Sequence, residues 1–326
     1  MVQIQFRPGI SNGDGQTTCY RVAEQSLVTD FPLPDMVSFR ESCPDDGAQL
    51  SPLNVYHVPV DGKQIYRGPG WIGNQWREVI CQSIPSGYQI RIEGIGTFLI
   101  AEEGKSIVCI RKEAEAGVEL LIEAAIGPAL ILALAVNGTL CFHASAVLFK
   151  DHVIVFLGES GKGKSTLASW LDGKGEGGWR RLADDILPAA LGVDGLQVLP
   201  HYPQLKIAAE EQPSLGMPGS LPASAIYIVR RPREGEEVAV QPLGAQESAL
   251  VLARHTVASR LFDADLMIRH LDFCIQAGSQ VPVRELIYPL IPSALQEVQE
   301  ALLRDLQPQI GSVGGLAQGQ SQRESF

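Results

Sequence analysis

Residues 158 to 165 could bind phosphate, because Gly-Glu-Ser-Gly-Lys-Gly-Lys-Ser matches the phosphate-binding loop pattern G-x-x-x-x-G-K-[ST]. Glycines in such a loop let backbone N–H groups converge on phosphate oxygens, and the following helix N-terminus adds partial positive charge. Lys164 is expected to reach the β- and γ-phosphates, and the Ser165 hydroxyl to hold Mg²⁺. The motif therefore predicts that a nucleoside triphosphate is bound by Gly158, Glu159, Ser160, Gly161, Lys162, Gly163, Lys164 and Ser165.

Two adjacent acids, Asp184 and Asp185, follow the loop at the predicted end of a short apolar strand. Phosphoryl transfer uses acids for two tasks: one ligates Mg²⁺, directly or through water, and another positions or deprotonates the attacking hydroxyl. Neighbouring side chains on a strand point to opposite faces, so the two acids are expected to differ in role unless the strand has ended.

The elements around these residues are predicted from their apolar runs. Residues 142–149 read as a strand, 150–152 as a turn, and 153–157 as a returning strand that leads into the loop. Residues 166–171 can continue as a helix. A loop strand that is the second arm of a hairpin points away from Ras-like and nucleotide-kinase topologies. Residues 226–229 form a further predicted strand. One of the arginines that follow it, Arg230, Arg231 or Arg233, could reach a transferring phosphoryl group, and Arg230 is taken as the candidate.

The remaining chain divides by composition. Residues 1–117 are predicted to form a small β-rich domain, with a hairpin over 98–110 and a loop over 32–52. Residues 118–308 hold the loop and the acids, and the Gly-, Gln- and Ser-rich tail 309–326 is predicted to be disordered. His57 and His255 are both predicted to be structural, and residues 293–306 to form an amphipathic closing helix.

Composition bounds the class of protein and its partners. The chain has 326 residues with 45 % hydrophobic and 19 % charged residues, which indicates a globular protein of about two domains. A formal net charge of −11 argues against nucleic acid and against an anionic membrane surface as partners. The six cysteines lack metal-ligand spacing and are predicted to be reduced, buried thiols of a cytoplasmic protein without a signal peptide. The apolar stretch 124–136 is too short to span a membrane and is predicted to be a core helix with Pro128 in its first turn.

Taken together, His143, the hairpin, the loop and Leu182-Ala183-Asp184-Asp185 resemble the catalytic domain of HPr kinase/phosphorylase. They also resemble the HPr kinase-like proteins that occur beside lasso-peptide biosynthesis genes, some of which phosphorylate a serine of a precursor peptide. The resemblance covers roughly residues 120 to 290. It implies an α/β fold in which the loop lies in a mixed sheet like that of the C-terminal domain of phosphoenolpyruvate carboxykinase, preceded here by the small β-rich domain.

The resemblance implies roles for single residues. Asp184 would face the substrate serine as acid or base, Asp185 would be the carboxylate on the Mg²⁺ side, and the order of these two roles is left open. Gly158 through Thr166 would bind the ATP phosphates, and His143 would lie near them. The chain departs from the family pattern at Thr166, where those kinases usually have Glu, and lacks their Glu-Ile-Arg-Gly segment. The nearest counterpart is 205–209, in which Lys206 would supply positive charge.

These features predict an ATP- and Mg²⁺-dependent kinase that phosphorylates a serine hydroxyl of a small protein or peptide, with HPr itself in doubt as the substrate. Two alternatives stay open: a kinase of a small metabolite, and a non-catalytic module whose ATP binding drives assembly. Whether the chain forms a homo-oligomer, and whether it prefers ATP or GTP, is also left open.

Overall fold

The computed structural model describes residues 1–7, 17–43, 62–111, 117–174, 178–204, 207, 212 and 216–313. The N-terminal strands are β1 Val2–Arg7, β2 Thr18–Val22, β3 Gln25–Thr29, β4 Arg40–Glu41, β5 Lys63–Ile72, β6 Gln75–Ile84, β7 Gly87–Ile92, β8 Gly96–Ala101 and β9 Ser106–Arg111. The later strands are β10 Leu140–Phe149, β11 His152–Leu157, β12 Trp179–Gly192, β13 Gly195–Val198, β14 Leu221–Arg230, β15 Ala239–Pro242 and β16 Val283–Ile287. The α-helices are α1 Val118–Ala124, α2 Leu130–Val136, α3 Lys164–Lys174, α4 Ala245–His255, α5 Ala264–Gln280 and α6 Leu295–Val313.

The first nine strands form one mixed sheet in the order β4-β2-β3-β1-β9-β8-β7-β6-β5. Strand β1 runs parallel to β3 and β9, and the other pairs are antiparallel. The antiparallel pair β8–β9 confirms the predicted hairpin over 98–110. The predicted loop over 32–52 is wrong in its first part, because Pro34–Phe39 form a 3₁₀ helix and β4 follows directly. Met36 and Phe39 are fully buried, and their burial holds this segment against the sheet.

The other seven strands form a second mixed sheet in the order β11-β10-β12-β13-β14-β16-β15. Strand β11 also pairs with β14, so the pairings β11-β10-β12-β13-β14 close into a ring. Apolar side chains fill the ring and leave a cavity of only about 10 Å³. Two mixed sheets with helices packed on them give an α/β fold, as predicted. The likeness to the phosphoenolpyruvate carboxykinase domain stays a prediction.

Strands β10 and β11 form the predicted hairpin that leads into the phosphate-binding loop. Phe149 pairs with His152, so the turn is Lys150 and Asp151 alone. Lys150 takes a positive φ of 54°, which two-residue hairpin turns require. The prediction of a strand at the hairpin's second arm is confirmed, and its β14 neighbour runs parallel to it.

The apolar helical segment between the sheets is longer than predicted. It runs from Val118 to Val136 and has a mean hydropathy of 2.0, enough by length and composition to cross a membrane. However, 67 % of its most apolar 18-residue window is buried inside the protein. The predicted core helix is therefore supported by its burial and not, as the sequence analysis argued, by its being too short to span a membrane. Pro128 is not in the first turn. It lies in a wide π-helical turn between α1 and α2, where Gly127 leaves helical geometry (φ −85°, ψ −111°).

One apolar core runs without a break from the first sheet through α1 and α2 to the second sheet. A second cluster lies on the far side of the second sheet, under α3 and α6. Because the first core is shared, the division into domains at residue 117 stays a prediction. The last helix continues to Val313, so the predicted disordered tail does not start at 309, and residues 314–326 lie outside the described residues.

The cysteines depart from the prediction of six reduced thiols. Cys19 and Cys43 form a disulfide, with Cα atoms 5.3 Å apart. It joins β2 to the residues just after β4. The spacing of these two cysteines in the sequence did not indicate that they would pair. Cys81, Cys109, Cys141 and Cys274 are free and buried, as predicted. Disulfides are typical of oxidising compartments, so the cysteines do not support the predicted cytoplasmic location.

Candidate functional site

Residues 158–163, which begin the predicted phosphate-binding loop, connect β11 to α3. Strand β11 is bonded on both sides, by β10 and β14, so the start of the loop is fixed in the sheet. The loop ends in α3, and its backbone reaches the helix at Lys164. A helix N-terminus behind a loop of this kind is a favourable place for phosphate.

All three glycines of the loop have backbone conformations that other residues rarely adopt, and two of them show how the loop is packed. Gly163 has a φ of +101°, and a Cβ there would lie 2.1 Å from a methyl carbon of Leu290 and 2.6 Å from the hydroxyl of Tyr288. That hydroxyl donates a hydrogen bond to the Gly163 carbonyl at 3.1 Å. Gly161 has a φ of +74°, and a Cβ there would point into open space. The loop is thus packed from behind at Gly163 and open at Gly161, as a phosphate cradle requires.

Lys164 lies folded against the loop that it belongs to. Its Nζ donates hydrogen bonds to the carbonyls of Gly158 at 2.7 Å and Glu159 at 3.2 Å, and the side chain is buried. The remaining loop residues are more open: Glu159, Ser160 and Thr166 are exposed, and Lys162 pairs with Glu159 at 3.6 Å.

Asp184 connects the loop to the sheet. Its Oδ1 accepts a hydrogen bond from Ser165 Oγ at 2.6 Å and another from Ser145 Oγ at 2.7 Å. The residue is buried, with 3 % of its surface exposed, and its backbone N–H donates to Gln204 Oε1 at 2.8 Å. The Ser165 hydroxyl and the Asp184 carboxylate are therefore in direct contact. A loop hydroxyl and a strand carboxylate are the two protein groups that hold Mg²⁺ in P-loop proteins.

Asp185 faces a different group. Its Oδ1 lies 3.4 Å from Nε2 of His143, and both side chains are partly exposed. The sequence analysis expects β12 to end at the acids. Instead it continues to Gly192, because β10 pairs with it as far as Ala189 and β13 pairs with its last four residues. Asp185 has a φ of +134°, a conformation rare outside glycine, within this continuing strand.

Strand β10 sets the relation between the loop and the acids. Ser145 is the Cα partner of Phe156 on one side and of Asp184 on the other. Ala144 is likewise the partner of Leu157 and of Asp185. The two halves of the site thus lie on the strands that flank β10, at the same level along it.

His255, predicted to be structural, lies at the site. Its pKa is lowered from 6.5 to about 4, mainly by burial and in addition by the electrostatic effects of Lys164 and His143, whereas Glu159 raises it. It is therefore a neutral imidazole near pH 7, beside the loop lysine. His255 is the last residue of α4. Its local sequence pattern did not indicate a place at the site, because the groups that act on it come from β10 and the loop.

The basic residues after β14 divide into two kinds. Arg230 donates to both carboxylate oxygens of Glu236 and pairs with Glu285 at 2.8 Å. Arg231, the next arginine of the same predicted group, donates from Nη2 to the Gly161 carbonyl at 3.3 Å. The structure thus brings Arg231, and not Arg230, to the loop. Lys206 and His57 lie outside the described residues.

A cavity of about 340 Å³ lies beside Asp185, which is one of its lining residues. The N-terminal sheet forms one wall at the tip of β5, and the α1–α2 segment and β12 form the others. The Tyr202 hydroxyl, which lies at its edge, donates to the Ile126 carbonyl at 2.5 Å, and burial raises the tyrosine pKa well above its usual range. Gln204 holds this edge to β12, since its amide donates to the carbonyls of Ile186 and Tyr202.

The residues fit Mg²⁺ bound together with a nucleotide better than a metal held by the protein alone. Among the described residues no group of three His, Cys, Asp or Glu side chains could hold a metal ion. Mg²⁺ in phosphoryl-transfer sites is held by one or two protein oxygens, waters and the phosphates themselves. The Ser165 and Asp184 oxygens, 2.6 Å apart, supply that small number of ligands.

Comparisons with known proteins add little to this geometry. The chain shows a likeness to the solved structure of the HPr(Ser) kinase/phosphatase from Coxiella burnetii, at 10 % sequence identity, with a TM-score of 0.29. The match covers 56 % of this chain and 99 % of that chain. No family model matches the sequence, and no curated protein matches it. A likeness at this TM-score carries no argument, so any functional assignment rests on the residues of the site.

Proposed function

We propose that this protein is an ATP- and Mg²⁺-dependent kinase that transfers the γ-phosphoryl group to a serine hydroxyl of a small protein or peptide. One observation carries the proposal: Ser165 of the loop contacts Asp184, while the next residue, Asp185, contacts His143 and faces a cavity. Adjacent acids with separate partners match the two tasks of acids in phosphoryl transfer.

The nucleotide side of the site comprises the loop and the residues that contact it. Loop N–H groups and the Lys164 ammonium would bind the β- and γ-phosphates, and Arg231 adds positive charge at Gly161. Ser165 and Asp184 would hold Mg²⁺, which neutralises phosphate charge when bound. In this proposal Asp184, not Asp185, is the carboxylate on the metal side, which is one of the two orders that the family resemblance leaves open.

The acceptor side comprises Asp185 and His143. The Asp185 carboxylate would accept a hydrogen bond from the serine hydroxyl and take its proton. The hydroxyl oxygen forms the new bond to the γ-phosphorus while the bond to the β–γ bridging oxygen breaks and ADP leaves. His143, 3.4 Å from Asp185, fixes the orientation of that carboxylate toward the acceptor.

A kinase of a small metabolite is the second candidate. The cavity beside Asp185 favours it, because about 340 Å³ lies near the lower end of the range of small-molecule pockets, ~300–1,000 Å³. A peptide acceptor requires only that one short segment enter this space.

Intact-mass spectrometry tests the proposal. Candidate peptides and HPr are incubated with the protein, ATP or GTP, and Mg²⁺, alongside Lys164→Ala and Ser165→Ala. Ser169→Ala is the matched control, because Ser169 is exposed one turn further along α3. We expect one added phosphate on a serine, a rate lower by about 10²–10³ in the two loop variants, and no change in the control. ATP binding without transfer to any peptide, protein or metabolite would instead support an assembly module.

A further inference from the structure

The cavity beside Asp185 is built by both sheets. Trp71 and Ile72, at the end of β5, line it from the first sheet, and Asp185 and Ile186 line it from the second. The α1–α2 segment closes it at Gly127, where a Cβ would meet nothing within 4 Å. The acceptor group of the proposed reaction must approach Asp185 through this space.

The described walls of the cavity are mainly apolar, and the charged residues among them are all acidic. Glu119, Glu123 and Asp185 line it, and none of the described lining residues is Lys, Arg or His. Glu123 is fixed by a hydrogen bond from the Gly73 N–H at 2.9 Å. Glu119 is exposed and makes no hydrogen bond or ion pair with another described residue, so its carboxylate is available to a ligand.

Two tryptophan rings at the edge of the cavity could also attract a cation. Trp71 is 58 % exposed and Trp76 67 % exposed, and their rings meet edge to face with centroids 5.3 Å apart. Tryptophan faces attract ammonium and guanidinium groups, and carboxylates beside them add a direct charge partner. Exposed tryptophans at a hairpin tip beside a cavity are also typical of binding surfaces.

We propose that this cavity selects a peptide whose acceptor serine lies close to a lysine or arginine, with the cationic side chain seated between Trp71 and Glu119. The inference rests on the proposed kinase function, since it takes Asp185 as the group that meets the serine. The protein's net charge of −11 adds long-range attraction for such a peptide.

The first experiment measures binding without nucleotide, so that it does not depend on catalysis. Amidated serine peptides in an alanine background carry one lysine, one glutamate or no charge at each position around the serine, and calorimetry gives their affinities. We expect lysine at one or more positions to bind about tenfold tighter than the uncharged peptide, as for a charge-assisted contact shielded from water, and glutamate to bind more weakly.

The second experiment assigns the effect to Glu119. Glu119→Lys is compared with Glu300→Lys, which makes the same charge change at an exposed site of α6, away from the cavity. We expect Glu119→Lys to remove or reverse the lysine preference and Glu300→Lys to keep it. Equal effects of both variants, or no preference for lysine in the native protein, would overturn the cavity proposal.

The two proposals fail in different ways. Lysine-selective binding that Glu119→Lys removes, without phosphate on any peptide in the presence of ATP and Mg²⁺, would uphold the cavity and overturn the kinase. Phosphate transfer with equal rates to lysine, glutamate and uncharged peptides would uphold the kinase and overturn the cavity.

Discussion

Replacing Asp185 by glycine should leave the protein more stable than replacing it by alanine, the reverse of the usual order on a strand. Asp185 has a φ of +134° inside β12. Glycine adopts such a φ freely, whereas alanine keeps the steric conflict of its Cβ. Both variants lose the same contact with His143 at 3.4 Å, so that loss cancels in the comparison.

The size of the difference follows from two opposing effects. A non-glycine residue held in a sparsely populated backbone region costs about 1–3 kcal/mol, which glycine relieves. Glycine in a strand costs roughly 0.5–1 kcal/mol more conformational entropy than alanine. The free energy of unfolding of Asp185→Gly should therefore exceed that of Asp185→Ala by about 1 kcal/mol. Two residues earlier on the same strand, Ala183→Gly should lower the free energy of unfolding by at least ~0.5 kcal/mol, because Ala183 does not have a positive φ.

Urea denaturation of the three variants, followed by circular dichroism, measures these differences. Phosphoryl transfer should be lost in both Asp185 variants, since each lacks the carboxylate. An Asp185→Gly protein less stable than Asp185→Ala would refute the inference of strain. Transfer retained by either variant would refute the acceptor-side role of Asp185.

Three further predictions concern the surroundings of the site. The His255 pKa is depressed from 6.5 to about 4, so its contribution to stability is complete above pH 6.5 and is lost as the pH falls toward 4; His255→Gln should flatten unfolding free energy against pH across that window. Arg231→Ala should raise the Kd for ATP in calorimetry, whereas Arg230→Ala should leave it unchanged and lower the melting temperature, because Arg230 pairs with carboxylates. Reduction of Cys19–Cys43, which are 24 residues apart, should lower the free energy of unfolding by roughly 3 kcal/mol.

Each has an outcome that contradicts it. An unchanged pH profile in His255→Gln would mean that this imidazole is not held neutral by its surroundings. A weaker Kd for ATP in Arg230→Ala, with none in Arg231→Ala, would return the phosphate contact to Arg230. Equal urea midpoints for oxidised and reduced protein would show that the disulfide does not restrict the unfolded chain.

The local parts of the site could be predicted because their signals are local. The loop motif, the hairpin turn at Lys150 and the acids at 184 and 185 each lie within a few residues of sequence, and turn chemistry and apolar alternation report such features directly. What the pair of acids contacts was not predictable in this way. The contact of Ser145 with Asp184 depends on the register of β10 against β12, which pairs residues far apart in the chain.

The larger errors have the same origin in non-local packing. Strand β12 continues past the acids because β10 pairs with it, although the sequence after them offers no clear strand pattern. His255 ends an ordinary amphipathic helix, and only the folded chain brings it beside Lys164. The Cys19–Cys43 pairing likewise depends on how β2 and β4 align, which six scattered cysteines do not specify.

The shared strand β10 has a mechanical consequence. The loop strand β11 and the acid-bearing strand β12 are both bonded to β10 directly, and the pairings of these strands close into a ring. Hinges act at loops, and no loop lies between the phosphate side and the acid side of the site at this level. We therefore expect β10, β11 and β12 to move as one rigid unit. Any movement that admits or encloses the proposed acceptor would then come from the opposing wall of the cavity, at Trp71 and the α1–α2 segment.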